Sequence, residues 1–202
     1  MKNVISHHRV IDWMNVIREN PDNYRILENF WASQLNSKAW LVNILHTYGW
    51  GCWFPPGNVY IFGGWYGILA QMIVDNFPNV NVISIDKDPQ CIEMGKKLSN
   101  DDSRITFVCD DMETYSSYYV PSLIINTSTE HVSQEVFDSW LVNVPVHIPV
   151  ILQGNDYFSC IEHVRCFPTL QEFTTHNPLS YTLFSGTLDC TQFTRYMSLG
   201  YK

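Results

Sequence analysis

The chain has 202 residues, 46% of them apolar and only 16% charged, with seven tryptophans. Soluble domains carry about 25% charged residues, so this composition supports a substantial buried core and excludes a disordered chain or two large domains. Twenty acidic residues against twelve Lys and Arg give a formal net charge of −8, and no basic run follows a phosphate backbone, which disfavours a nucleic-acid partner.

Cysteines at 52, 91, 109, 160, 166 and 190 are scattered through a chain too long to need staples, so a reduced, cytoplasmic protein is expected. Residues 1–9 lack the apolar run of a signal peptide, and no stretch approaches the roughly 18 continuous apolar residues of a spanning helix. No membrane association is expected, and a homodimer is permitted without being specified.

In chain order, Val10, Trp13, Met14, Val16 and Ile17 recur at helical spacing, Pro21 and Asp22 interrupt them, and the pattern resumes from Ile26 to Leu45. Two or three helices are predicted, ending near Gly49, before the prolines Pro55 and Pro56 forbid continuation. From residue 58 the period alternates. Strands are predicted at 59–62, 80–85, 105–109, 123–125 and 149–153, with helices at 68–77, 88–98 and 133–142. Asp88 and Pro89 supply the cap and first turn of the second of these helices. Glu162 and His163 are placed on a short helix. Two final strands, 181–185 and 193–199, are expected to pair antiparallel around a loop at 186–192. The order predicts one α/β domain spanning 1–202, a Rossmann-like mixed sheet of seven strands between helical layers. Residues 1–57 form a helical N-terminal cap, and residues 58–202 carry the sheet.

The chemistry-bearing residues fall at strand ends. Gly63, Gly64, Trp65 and Gly67 lie between an apolar strand and an apolar helix, where small residues allow a tight turn and close approach of a ligand to helix N-terminal amides. Close packing of helix on strand accounts for the same glycines. Asp86 ends the next strand, 23 positions beyond Gly63, where a carboxylate can accept both hydroxyls of a ribose. Asp110 and Asp111 end the third strand. Because paired acids repel when desolvated, Asp110 is assigned to the site and Asp111 to solvent or a helix cap. The fourth strand delivers Asn126, Ser128, Glu130 and His131: His131 is a candidate base, Glu130 its orienter or a cation binder, and Asn126 a group to fix an acceptor. Thr127 and Glu130 equally have the spacing of a capping box. Asn155, Asp156 and Tyr157 follow the fifth strand and can shape a pocket, or a simple turn. Cys160, His163 and Cys166 recur every three residues but lack a fourth ligand, so no metal is expected.

Together, the glycine turn at 63–67, Asp86, Asp110, the segment 126–131 and the terminal strand pair resemble the class I S-adenosylmethionine-dependent methyltransferases over about residues 58–199. The resemblance implies S-adenosylmethionine as cofactor, held by Gly63, Gly64, Trp65, Gly67, Asp86 and Asp110. It also implies methyl transfer to a small or medium-sized polar acceptor near Asn126, Glu130 and His131. Two positions depart from the family pattern: Ile61 stands where an acid is usual, and Trp65 replaces the middle glycine. Aromatic walls are expected from Trp65, Tyr66, Trp31, Trp50 and Trp53. A nicotinamide dinucleotide would use the same ribose acid, yet the G-x-G-x-x-G order is absent. The rival readings are a non-catalytic nucleoside-binding or interaction module on the same sheet, and a nucleic-acid methyltransferase with Arg9, Arg18, Arg25 and Lys38 gathered at the cleft.

Overall fold

A computed structural model describes residues 4–49 and 57–202. Trp50, Cys52 and Trp53 lie outside the described residues. Helix α1 (His7–Glu19) is followed by a 3₁₀ segment (Tyr24–Phe30) and helix α2 (Ala32–Thr47). The alternating portion then runs β1 (Asn58–Phe62), α3 (Ile68–Asn76), β2 (Asn81–Asp86), α4 (Pro89–Leu98), β3 (Ile105–Cys109) and β4 (Pro121–Asn126). It continues through α5 (Gln134–Asn143), β5 (Pro149–Asn155), α6 (Leu170–His176), β6 (Tyr181–Asp189) and β7 (Thr194–Tyr201).

The seven strands are ordered β3-β2-β1-β4-β5-β7-β6, parallel from β3 to β5 and antiparallel at β5–β7 and β7–β6. The order reverses between β1 and β4, and in such sheets the crevice outside the carboxyl ends of these two strands is the natural ligand position. One hydrophobic cluster joins Trp13, Ile26, Leu41 and Leu45 of the cap to Ile61, Ile73 and Ile125 of the sheet layer, and a second, holding Phe62, Phe137 and Trp140, fills the opposite face. The cap is thus packed on the sheet.

Local chemistry explains the helix starts. Asp88 accepts the Gln90 amide at 2.9 Å with Pro89 in the first turn of α4, and Ser133 accepts Val136 N at the start of α5. Three expectations are corrected. Strand β6 runs to Asp189 because cross-strand pairing carries it through Gly186, which faces Met197, and the connecting loop shrinks accordingly. Helix α6 was not predicted, although Thr169 and Glu172 have capping-box spacing and Thr169 Oγ1 does accept Glu172 N. Glu162 and His163 occupy turns instead of a short helix.

Candidate functional site

A cleft of about 860 Å³ opens at the carboxyl ends of β1, β2, β3 and β4, with the 3₁₀ segment and α2 forming its opposite wall. This volume lies within the range of small-molecule sites.

The floor is the turn after β1. Gly63 (φ +63°) and Gly67 (φ +74°) adopt left-handed backbone that a side chain disfavours, and a Cβ on Gly63 would collide with Ser128 Oγ. The two sequence explanations for the glycines fall on different positions. Gly63 and Gly64 line the cleft, whereas Gly67 caps α3 behind it, and a Cβ there would sit 2.6 Å from the Phe107 ring. Trp65 also has left-handed backbone, φ +49°, so it keeps the conformation a glycine would take, at a cost of roughly 1–3 kcal/mol. Its amide donates to Asp86 Oδ2 at 2.8 Å, and its half-buried ring leans on Tyr66 with centroids 5.3 Å apart. Ile61 is fully buried and offers a ligand no charge.

Asp86 therefore touches the turn from the end of β2. Its other oxygen accepts the Asp88 amide at 3.0 Å, which holds the carboxylate half-buried on the cleft surface. Asp110 Oδ1 accepts Asp111 N at 2.8 Å and Thr114 Oγ1 at 3.2 Å, and Oδ2 meets no donor among the described residues. Asp111 lines the cleft as well and is not turned wholly to solvent; its Oδ1 accepts Glu113 N in a turn, and no helix follows for it to cap.

The groups after β4 separate. Asn126 is fully buried and is absent from the cleft lining; its Oδ1 accepts Ser128 N at 3.0 Å, so it braces the strand end instead of facing an acceptor. No capping box forms, because Thr127 Oγ1 donates to Gly63 O while the Glu130 side chain turns inward. Glu130 Oε1 accepts Arg195 Nη1 at 2.6 Å and Asn155 Nδ2 at 2.7 Å, and Arg195 and Asn155 are cross-strand partners on β7 and β5. Burial pushes the Glu130 carboxyl up, but the Arg195 guanidinium and His131 outweigh it and hold the group below its usual range. Glu130 is thus neither free to bind a cationic substrate through Oε1 nor hydrogen-bonded to His131.

His131 is exposed at the cleft wall, with Nδ1 3.2 Å from the Glu162 carbonyl. A carbonyl only accepts, so Nδ1 carries the proton, and in the neutral ring the lone pair is on Nε2. Of the residues following β5, Tyr157 reaches the cleft and stacks on Phe193 with centroids 5.1 Å apart; Asp156 instead accepts Thr194 N and ties the loop to β7. The thiol of Cys166 donates to Asn155 Oδ1, and burial raises its pKa to about 11.

Sequence reasoning missed the cap's contribution. Tyr24, Glu28, Trp31, Gln34 and Lys38 all line the cleft, of which only Trp31 was expected as a wall. The Lys38 ammonium donates to Gln34 Oε1 at 2.7 Å; burial, with Arg195 repulsion second, brings its pKa down to about 7. Of the four cations that a nucleic-acid reading would gather at the cleft, Arg25 and Lys38 line it, whereas Arg9 is held bidentately by Asp75 at 2.9 Å on α3.

The fold is that of the class I S-adenosylmethionine-dependent methyltransferases, with the terminal β6–β7 pair in its expected place. No protein-family model matches the chain. Two curated relatives are malonyl-[acyl-carrier protein] O-methyltransferases, from Ilyobacter polytropus (29% identical over 72 residues) and Anoxybacillus flavithermus (31% over 75). These matches cover 36% and 37% of this chain but span only 27% and 29% of the relatives' own length. Among solved structures, N-methyltransferase NodS from Bradyrhizobium japonicum WM9 in complex with S-adenosyl-L-homocysteine superimposes with a TM-score of 0.66 at 12% identity. That similarity covers 95% of this chain and 98% of NodS. Magnesium protoporphyrin IX methyltransferase from Synechocystis PCC 6803, also with S-adenosyl-L-homocysteine bound, gives 0.66 at 11% identity over 97% and 95%.

Proposed function

We propose that the chain binds S-adenosylmethionine at the β1–β2–β3 strand ends and transfers its methyl group to a small or medium-sized polar acceptor held against the wall formed by Lys38, His131 and Tyr157. The observation that carries this reading is Asp86: a carboxylate clamped by the Trp65 and Asp88 amides, with lone pairs left over, beside a glycine turn on the same cleft. Asp86 accepts the ribose hydroxyls, Asp110 Oδ2 accepts from the adenine amine, and Glu28 pairs with the methionine ammonium, taking over from the acid absent at Ile61.

Methyl transfer needs an acceptor lone pair aligned opposite the carbon–sulfur bond. The new bond forms as that bond breaks, its electron pair stays on sulfur, and the acceptor proton leaves. Lys38, with a substantial neutral fraction near pH 7, takes that proton; a sulfonium nearby favours the neutral amine further. His131 forms part of the acceptor wall. Aromatic walls exclude water that would compete for the electrophile, and fixed approach supplies most of the acceleration.

Calorimetric titration tests the cofactor before an acceptor is known. S-adenosylmethionine and S-adenosylhomocysteine should bind at one site and NAD much more weakly; failure of the first two to bind the folded protein removes the reading. Given turnover, kcat should rise with pH through about 7 as Lys38 deprotonates, and Lys38→Met should abolish that limb, whereas His131→Asn should lower the rate and leave the limb in place. A limb unaffected by Lys38→Met would remove Lys38 as the base.

A further inference from the structure

We infer that Glu130, His131 and His163 form a site for a divalent transition-metal ion, zinc foremost, on the acceptor side of the cleft. The inference rests on the methyl-transfer reading for its purpose, though not for its ligands. One ligand atom from each of these three side chains lies within 4.8 Å of the others, and all three residues line the cleft.

The backbone assembles them deliberately close. Val164 N and Arg165 N donate to Glu130 O at 2.9 and 3.1 Å, which stitches the loop after β5 to the 3₁₀ turn Thr129–His131. The His131 Nδ1 bond to Glu162 O completes the seam and leaves Nε2 facing outward. A ligating histidine characteristically gives its second ring N–H to a carbonyl in this way, which fixes its tautomer and orientation.

An independent observation points to a cation. Glu130 is only 2% exposed, and while Oε1 is held by Arg195 and Asn155, Oε2 is buried with no partner among the described residues. Nδ1 of His163 is likewise buried and unpartnered. A carboxylate oxygen is an acceptor, as is an imidazole nitrogen that carries no proton, and a metal ion held by both residues would satisfy both. Two imidazoles and one carboxylate suit zinc or a neighbouring first-row ion and leave an open position. Zinc ligands stand about 3.3 Å apart, against the 4.8 Å within which these atoms lie, so the site closes by up to about 1.5 Å on binding. The sequence pattern Cys160, His163, Cys166 pointed toward this region with two wrong ligands: among the described residues, the ligand atoms that gather are those of Glu130, His131 and His163.

The open position takes an acceptor oxygen. Coordination lowers the pKa of an acceptor hydroxyl; its proton passes to Lys38 and then to solvent, and the oxygen lone pair forms the new bond to carbon while sulfur keeps the electrons of the old one. The predicted acceptor class is therefore one with a hydroxyl or carboxylate oxygen able to coordinate a metal.

Cobalt(II) titration of the full chain, stripped beforehand with a chelator, reads the site without activity. One equivalent should bind with a visible d–d band, zinc should displace it, and zinc should raise the melting temperature. His163→Ala should weaken cobalt binding by at least about 100-fold, while Cys160→Ser leaves it unchanged. Absence of the band together with no zinc stabilisation, or binding indifferent to His163→Ala, overturns the site and assigns the two orphan atoms to water. S-adenosylhomocysteine titrated into the same stripped protein separates the outcomes. Nucleoside binding without metal uptake removes this inference alone, and metal uptake without nucleoside binding removes the methyl-transfer reading while leaving the site.

Discussion

Glu130→Ala should lower the free energy of unfolding by about 3–5 kcal/mol, the scale for breaking one side of a buried ion pair. The guanidinium of Arg195 has 6% of its side-chain surface exposed and that of Glu130 has 3%, so removing the carboxylate strands a cation in the interior. Asn155 Nδ2, on a fully buried side chain, loses its acceptor at the same time. The damage spreads because Glu130 joins the turn after β4 to the ends of β5 and β7. Denaturant melts of three variants check this. Glu130→Ala falls by the full amount, Glu130→Gln by less because a hydrogen bond survives, and Glu130→Leu with Arg195→Met recovers most of the loss because both charges are gone. A loss under 1 kcal/mol for Glu130→Ala would contradict the burial. The pH sign follows from the depressed carboxyl: the pair's contribution is fully present above the usual glutamate range near about pH 4.3 and disappears as pH falls through the lower folded value.

Asp86→Ala should weaken S-adenosylhomocysteine binding by about 100-fold. Two hydrogen bonds from ribose hydroxyls to an ionised carboxylate contribute roughly 1.5 kcal/mol each, and about 3 kcal/mol corresponds to two decades in Kd. Asp86→Asn keeps an acceptor but not the charge, so a loss of about tenfold is expected for it. Since Asp86 also receives the Trp65 and Asp88 amides, a melting curve must accompany the calorimetry; the affinity loss counts where the variant is still folded. Equal affinity for wild type and Asp86→Ala would place the ribose elsewhere.

The sheet was legible because its signals are local. Asp88-Pro89 and Ser133 announce helix starts through side-chain caps, and five apolar runs between turn residues are too short for helices, which leaves strands as the solution. Where pairing decides, local reading stops short: Gly186 looks like a loop residue, yet it lies in β6 because β7 holds it there. The floor of the site was equally legible, since Gly63, Asp86 and Asp110 each sit at a strand end and parallel strands bring such ends to one rim. Trp65 was placed in that turn as the replacement of a glycine, and the backbone angle adds that it keeps the left-handed conformation there.

The acceptor wall was hidden for a different reason. Glu130 and Arg195 are 65 positions apart, and nothing in either neighbourhood reveals that they meet. Lys38 lies on a helix whose apolar pattern reads as core, so its place at the cleft depends on how the cap docks. Asn126 illustrates the converse case: a polar residue at a strand end looks available to a ligand, but here it is buried off the cleft lining with its Oδ1 on the Ser128 amide. His163 is grouped by spacing with Cys160 and Cys166 in the sequence, whereas in space its neighbours are Glu130 and His131 from the 3₁₀ turn after β4.

The most direct test of the central claim is a crystal structure of the chain grown with S-adenosylhomocysteine. The account predicts ribose hydroxyls on the Asp86 carboxylate, the adenine beside Asp110, and the sulfur at the β1–β4 crevice near Ser128. A nucleoside bound away from Asp86, or a β1–β4 crevice closed by Trp65 and the cap with no ligand in it, would contradict that claim and leave the protein with the fold alone.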